Sequence, residues 1–175
     1  MKFFVYIACS LDGFIARKDG DIEWLHEIPN PQKLDFGYNT FMSKIDAMVI
    51  GRKSYEKVLS FDEWPYAVPV FVLSNTLQTT PMHIEAVLHG EPEEIASKLE
   101  EYGYSNIYLD GGVAIQGFLT KRMVDEMIIT RVPIILGDGI PLFATMNIEQ
   151  SIWLDHIETK AFYNGLVQSR YGIKE

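Results

Sequence analysis

Residues 108–119 read YLDGGVAIQGFL: an apolar strand ending, two adjacent glycines, then an apolar helix face. A tight turn needs only one residue free to adopt positive φ. A second glycine is read as a place where something outside the protein presses against bare main chain. The stretch therefore sets a strand, a turn and a helix in sequence, with a candidate ligand contact between them.

Working outward, apolar runs rich in Val, Ile, Phe and Tyr read as strands: residues 2–9, 46–51, 68–74, 84–89, 106–111, 124–132, 152–162 and 165–172. Helical patterns lie between them. Residues 32–45 space Leu34, Tyr38, Phe41 and Ile45 at helical intervals. Residues 52–59 form a short helix, and 91–102 start with Pro92 and Glu93 and carry Ile95, Leu99 and Tyr102 on one face. Residues 113–121 continue from the glycine pair. Strands and helices alternate through Val124, and the chain then ends in strands. The expectation is an α/β fold: a mostly parallel sheet of about eight strands, an antiparallel C-terminal edge and helices on both faces.

The length of 175 residues fits a single domain spanning 1–175. A formal charge of −9 argues against a nucleic-acid binder, which needs a basic face. Cys9 is the only cysteine, so an intrachain disulfide and a cysteine-based zinc cluster are excluded. His26, His83, His89 and His156 have no ligand spacing, and no metal is expected. The opening MKFFVYIAC is shorter in its apolar run than a signal peptide and reads as a first strand. No stretch approaches a membrane span, and the protein is read as cytoplasmic with a small-molecule substrate.

In parallel α/β sheets, ligands bind at the carboxyl ends of the strands. Three such ends are chemically unusual. In VIGRKSYEKV, Gly51 leaves the strand, and Arg52, Lys53 and Ser54 open a helix whose free N–H groups suit a phosphate. A capped surface helix with two solvated cations explains the segment equally well. VFVLSNT ends in Ser74, Asn75 and Thr76, suited to a ribose or phosphate rim, or simply to a turn. At Gly111 and Gly112 the main chain can approach a pyrophosphate, although the GxGxxG spacing of dinucleotide folds is absent.

In this order the segments resemble the dihydrofolate reductase superfamily, and more closely its branch with the reductase domain of riboflavin biosynthesis. YIACSLDGFIA resembles the opening strand and loop of that branch. MVIGRKSYE resembles its G-R-x-[ST]-[WY]-E segment, and VLSNT, IYLDGGVAIQGFL and VDEMIITRVP its later strand ends. The likeness runs from Lys2 to about Phe143. It implies a three-layer dihydrofolate-reductase-like fold and an NADPH-dependent oxidoreductase. The implied reaction is hydride transfer to a C=N-type bond of a pteridine- or aminopyrimidine-like compound, similar to 5-amino-6-(5-phosphoribosylamino)uracil reductase. An authentic dihydrofolate reductase and a non-catalytic NADPH-binding module are the alternatives.

By the same resemblance, Ala8 meets the nicotinamide carboxamide, and Gly13, Phe14 and Ile15 close over the ring. Gly51, Arg52, Lys53 and Ser54 hold phosphates, and Leu73, Ser74, Asn75 and Thr76 the adenosine end. Gly111 and Gly112 receive the pyrophosphate, with Val113, Ala114 and Ile115 behind them. A cis bond between Gly111 and Gly112 is implied, at about 3–4 kcal/mol. The chain has no Lys or Arg from Val58 through Ser97, which leaves Arg52 and Lys53 as partners for a 2′-phosphate.

The acid position falls on Asp35, sixteen residues before Gly51, among Leu34, Phe36 and Tyr38. Desolvation there would raise its pKa; a first-turn aspartate serving the helix dipole is the other reading. Thr130 matches a strand position that supports the substrate end, or is a β-branched strand residue. Asn39 stands where folate reductases carry Phe, and Val68 where they carry the arginine for the glutamate tail of folate. A phosphorylated substrate would need a second anion site, with Arg17, Lys18 and Lys33 as contributors. Family members are often dimers; residues 124–137 either form a homodimer contact or are covered by the final strands.

Overall fold

The computed structural model describes residues 1–77, 82–143, 146 and 148–174. Strand β1 (Lys2–Ser10) leads through the short β2 (Phe14–Ala16), a single 3-10 turn (Glu23–Leu25) and α1 (Tyr38–Met42) to β3 (Ala47–Gly51). Then come α2 (Arg52–Val58), β4 (Val70–Leu73), β5 (Ala86–Leu88), α3 (Pro92–Glu101), β6 (Asn106–Asp110) and α4 (Gly112–Thr120). The chain ends with β7 (Glu126–Val132), β8 (Ile140–Pro141), β9 (Leu154–Ala161) and β10 (Val167–Ile173). Eight strands form one sheet in the order β5-β4-β3-β6-β1-β7-β10-β9, and β2 pairs with β8 in a separate ribbon. The first six strands in that order are parallel; β10 runs antiparallel to both β7 and β9.

Alternation along the strands divides the core in two, because successive side chains leave opposite faces of a sheet. Phe3, Val5, Val49, Ile107 and Leu109 pack with Ile95 and Leu99 of α3 and Ile115 and Phe118 of α4. Phe4, Met48, Ile50, Val70, Val72 and Tyr108 pack with Phe41 of α1 and with Tyr55 and Val58 of α2. The expected helices on both faces are therefore present, with the antiparallel edge at the C-terminal end.

Helix α3 starts with a capping box, in which the Glu94 carboxylate accepts the Glu91 N–H at 2.9 Å. The helix read over residues 32–45 shrinks to Tyr38–Met42. Lys33, Phe36 and Gly37 all have positive φ, at 50°, 53° and 89°, so the preceding residues form turns. Side-chain spacing alone registered the apolar face but not these backbone reversals.

Candidate functional site

The parallel register aligns the strand ends along one edge. Leu73 pairs with both Gly51 and Leu88, Ile50 pairs with Asp110, and Ala8 pairs with Thr130. Gly111, immediately after Asp110, thus stands beside Gly51. An added Cβ at Gly111 would lie 2.5 Å from Ser54 Oγ and 3.5 Å from the Gly51 nitrogen. One at Gly112 would lie 3.2 Å from Ile15 Cδ1 and 3.4 Å from the Pro141 carbonyl oxygen. Five of the expected cofactor residues, Ile15, Gly51, Ser54, Gly111 and Gly112, consequently meet at one crossing.

That geometry adds a second reason for the glycine pair. Gly111 is needed for its backbone, at φ 89° and ψ 139°, and both glycines let neighbouring parts of the same chain come close. The expected cis bond is corrected: among the described residues there is no cis peptide bond, so Gly111 and Gly112 are joined in trans. Positive φ at Gly111 turns the strand into the helix without isomerisation.

Two helices begin at this crossing, α2 at Arg52 and α4 at Gly112, and neither has a side-chain cap. Their first N–H groups are therefore left to an external acceptor. In α4 the side chain of Val113 is 81% exposed, whereas Ala114 and Ile115 are buried in the core, so these two can offer only main chain. Arg52 reaches Glu56 at 3.3 Å, and Lys53 is exposed with no ion pair among the described residues. The Ser74 hydroxyl accepts the N–H groups of Thr76 and Leu77 at 3.1 and 3.0 Å, a local turn, while Asn75 is exposed.

Across the edge, the loop after β1 is fastened to the β2–β8 ribbon. Gly13 has φ 90°, its carbonyl accepts the Leu142 N–H, and the Phe14 N–H donates to Ser10 Oγ at 2.9 Å. Gln116 of α4 donates to the carbonyls of Pro141 and Leu142 at 3.2 and 2.8 Å, which holds Ile15 over Gly112. Ala8 is backed by a cluster containing Trp24, Val132 and Leu166. Thr130 is 6% exposed, and its hydroxyl accepts from Gln168 at 3.0 Å. The same amide lies 3.2 Å from both the Tyr6 hydroxyl and the Phe36 carbonyl. Tyr6, Phe36 and Gln168 also border a trough of about 250 Å³ between α1 and the β9–β10 edge.

Asp35 does not have the desolvated setting expected of an acid. It is exposed and precedes α1, and its carboxylate accepts the N–H groups of Gly37 and Asn39 at 3.0 and 3.1 Å. Those bonds, Gly37's first, lower its pKa. Asp35 is the helix-start aspartate, because its side chain meets backbone donors before it can meet apolar surface.

The carboxyl with a raised pKa is Asp110. Burial pushes it up to about 6, opposed by the Gly111 N–H and the Tyr108 hydroxyl. It lies on the α1–α2 face of the sheet, two residues after Tyr108. Asp110 acts electrostatically on Tyr38 of α1, Tyr66 of the loop before β4 and Tyr108 of β6. Burial pushes Tyr38 up to about 12. Tyr6 lies 5.4 Å from Tyr38, and the Tyr108 hydroxyl donates to the Tyr6 carbonyl at 2.8 Å. The sequence did carry a signal for Asp110: its register with Tyr108 puts a carboxyl where the strand pattern calls for an inward-facing core residue.

A parallel sheet with this strand order, two uncapped helix starts at one crossing and an antiparallel end define the dihydrofolate-reductase-like class of α/β fold. The chain belongs to the RibD C-terminal domain family, which matches residues 2–168. The protein YwjB of Bacillus subtilis (strain 168), itself uncharacterised, is 36% identical over 158 residues, covering 87% of this chain and 88% of YwjB. A structure described as that of a riboflavin biosynthesis protein from Shewanella sp. PV-4 superposes with a TM-score of 0.93 at 42% identity, covering 100% of both chains. The Enterococcus faecalis dihydrofolate reductase complexed with NADP(H) shares the fold, with a TM-score of 0.70 at 16% identity, covering 99% of this chain and 97% of that one.

Proposed function

We propose that this protein is an NADPH-dependent reductase that adds a hydride and a proton across a C=N-type bond of a pteridine- or aminopyrimidine-like molecule. The observation that carries the reading is the meeting of Gly51, Ser54, Gly111 and Gly112 where two uncapped helices begin. Backbone N–H groups without competing caps suit a diphosphate. Membership of the RibD C-terminal domain family supports reductase chemistry.

In this reading Gly51, Ser54, Gly111 and Gly112 hold the diphosphate, and Arg52 and Lys53 meet the 2′-phosphate that separates NADPH from NADH. Leu73, Ser74, Asn75 and Thr76 take the adenosine end. Ala8, Gly13, Phe14 and Ile15 enclose the nicotinamide, with Thr130 on the neighbouring strand. NADPH, when bound, supplies the hydride to the carbon of the C=N bond and leaves oxidised; the nitrogen takes a proton, giving C–H and N–H bonds. Asp110 supplies that proton. A carboxyl held near pKa 6 is still partly protonated around neutral pH, whereas an ordinary aspartic acid is almost wholly ionised.

Val68 packs partly buried beside the cluster under α2, where a folate reductase would carry a guanidinium. That favours a substrate without the glutamate tail of folate over dihydrofolate itself. Thermal melts with NADPH and NADH, followed by loss of absorbance at 340 nm across a panel of pteridines and aminopyrimidines, test the proposal. NADPH should stabilise the protein more than NADH does, by mass action on the native state. No shift with either coenzyme overturns the reading.

A further inference from the structure

Two rows of side chains cross the antiparallel end of the sheet on the face that α1 covers. Tyr6, Ile128, Arg170 and Glu158 hold neighbouring positions of β1, β7, β10 and β9, and Thr130, Gln168 and Lys160 form the next row. The trough of about 250 Å³ runs between this surface and α1, with Phe36 and Phe41 on its helix side. Phe41 lies 5.1 Å from Tyr6, which makes a tyrosine wall with Tyr38 at 5.4 Å. None of the residues assigned to NADPH lines the trough. Its volume falls below the roughly 300–1,000 Å³ of a site for a drug-sized ligand, so it admits a single ring and excludes a dinucleotide.

The cations that the sequence suggested for a second anion site do not line this trough: Arg17 pairs with Asp21 at 3.7 Å, Lys18 is bound to Asp138, and Lys33 lies in the turns before α1. A different set does. Lys44, Lys160 and Arg170 line the trough together with the carboxylate of Glu158. Lys44 bonds Glu126 at 3.3 Å and lies 4.7 Å above the Phe4 ring, and Lys160 stands 3.4 Å from Glu158. Arg170 is held more loosely. Its Nε is 3.8 Å from Glu126 and its Nη1 3.8 Å from Glu158, distances of attraction and not of hydrogen bonding. The Nε is buried and has no hydrogen-bond partner among the described residues. Three cations against Glu126 and Glu158 leave one positive charge over. Asp35, whose charge reaches Tyr6, does not line the trough, and its carboxylate is engaged by the Gly37 and Asn39 N–H groups.

We infer that the trough between α1 and the β9–β10 edge is a binding site for a small aromatic monocarboxylate, its ring against Tyr6, Phe36 and Phe41 and its carboxylate shared by Arg170 and Lys160. Aromatic side chains suit a flat ring, and the guanidinium fork matches a carboxylate in charge and geometry. Turning that fork into the trough breaks no hydrogen bond and gives the orphaned Nε an acceptor. A monoanion cancels the surplus charge, whereas a phosphate dianion exceeds it and a neutral ring leaves it standing. The site lies apart from the Gly51–Gly111 crossing and does not depend on the reductase reading.

The test titrates benzoate, benzamide, acetate and phenyl phosphate into the full chain at low salt and reads Kd by calorimetry. Benzoate should bind at least about tenfold more tightly than benzamide, which lacks the charge, and than acetate, which lacks the ring. Arg170→Gln should weaken benzoate about tenfold. Lys160→Gln, on the exposed edge strand, should weaken it about threefold and keeps the test open if the Arg170 variant fails to fold. Glu158→Gln should act in the opposite direction, tightening benzoate about threefold and phenyl phosphate by more, a sign that a merely structural role would not give. No heat with benzoate, equal binding of benzamide, tighter binding of phenyl phosphate to the unaltered chain, or a benzoate Kd unmoved by these variants overturns the inference. NADPH should leave the benzoate Kd unchanged. Benzoate binding without any NADPH-induced thermal shift would remove the reductase reading and leave this site standing.

Discussion

The two halves of the proposed site differ in what they offer a ligand. At the Gly51–Gly111 crossing the contacts on offer are main-chain N–H groups and one serine hydroxyl, fixed by strand register and by helix starts. At Asp110 they are side chains: a carboxyl and the tyrosines it acts on, contributed by α1, β6 and a loop. Main chain is set by the fold and tolerates many sequences, provided the glycines remain. Side chains can be exchanged one at a time without disturbing the sheet. In the proposed reading, a protein built this way can keep its coenzyme while changing what it reduces.

The largest expected effect comes from the main-chain half. Gly111→Val places a β-branched side chain at φ 89° against Ser54, and should cost about 3 kcal/mol of stability and abolish the thermal shift with NADPH. A double variant with Ser54→Ala relieves the contact but not the backbone strain, so chemical denaturation should recover only part of the loss. Full recovery would mean that the side-chain contact, and not φ, makes glycine necessary.

Asp110→Asn should come next, lowering kcat/KM by about a hundredfold while the NADPH shift persists. Its effect on stability has the opposite sign. Because the folded carboxyl has its pKa raised from 3.8 to about 6, the native state holds this proton more tightly than the unfolded chain does. Stability from this group is full below pH 3.8 and is lost as pH rises to about 6. Well above pH 6 the asparagine variant should therefore be more stable, by about 3 kcal/mol, with the difference vanishing below pH 4. Urea unfolding at pH 4 and pH 7 checks the sign.

Exchanging Arg52 and Lys53 together for alanine should reduce the preference for NADPH over NADH by about tenfold, read as the ratio of coenzyme Kd values. An unchanged ratio would move 2′-phosphate recognition elsewhere. Asp35→Asn should have the smallest effect on chemistry, within about threefold in kcat/KM, because the carboxylate is occupied by the Gly37 and Asn39 N–H groups. A loss as large as that of Asp110→Asn would restore Asp35 as the acid.

The difference between the halves also governs what the sequence made legible. Alternating apolar runs marked the strands, and glycine, serine and basic residues at strand exits marked the main-chain half, since both signals are local. Asp35 misled because its apolar neighbours in sequence are not its neighbours in space: Phe36 and Gly37 turn the chain and leave the carboxylate exposed. Asp110 was hidden by the opposite effect. Its surroundings are assembled from Tyr38, Tyr66 and Tyr108, which only the sheet order brings together. The glycine pair stood out in the sequence, but the approach of Ser54 and Ile15, which also calls for glycine there, comes from segments distant in sequence and was not legible.

Gln168 gives this arrangement a long lever. Its single amide group is shared among Thr130, the Tyr6 hydroxyl and the Phe36 carbonyl, so the last strand of the chain steadies the first strand and the approach to α1. Changes near the C-terminus, remote from any reacting atom, will therefore register in how the tyrosine wall is set, and engineered tags or fusions at that end should be judged by turnover as well as by folding.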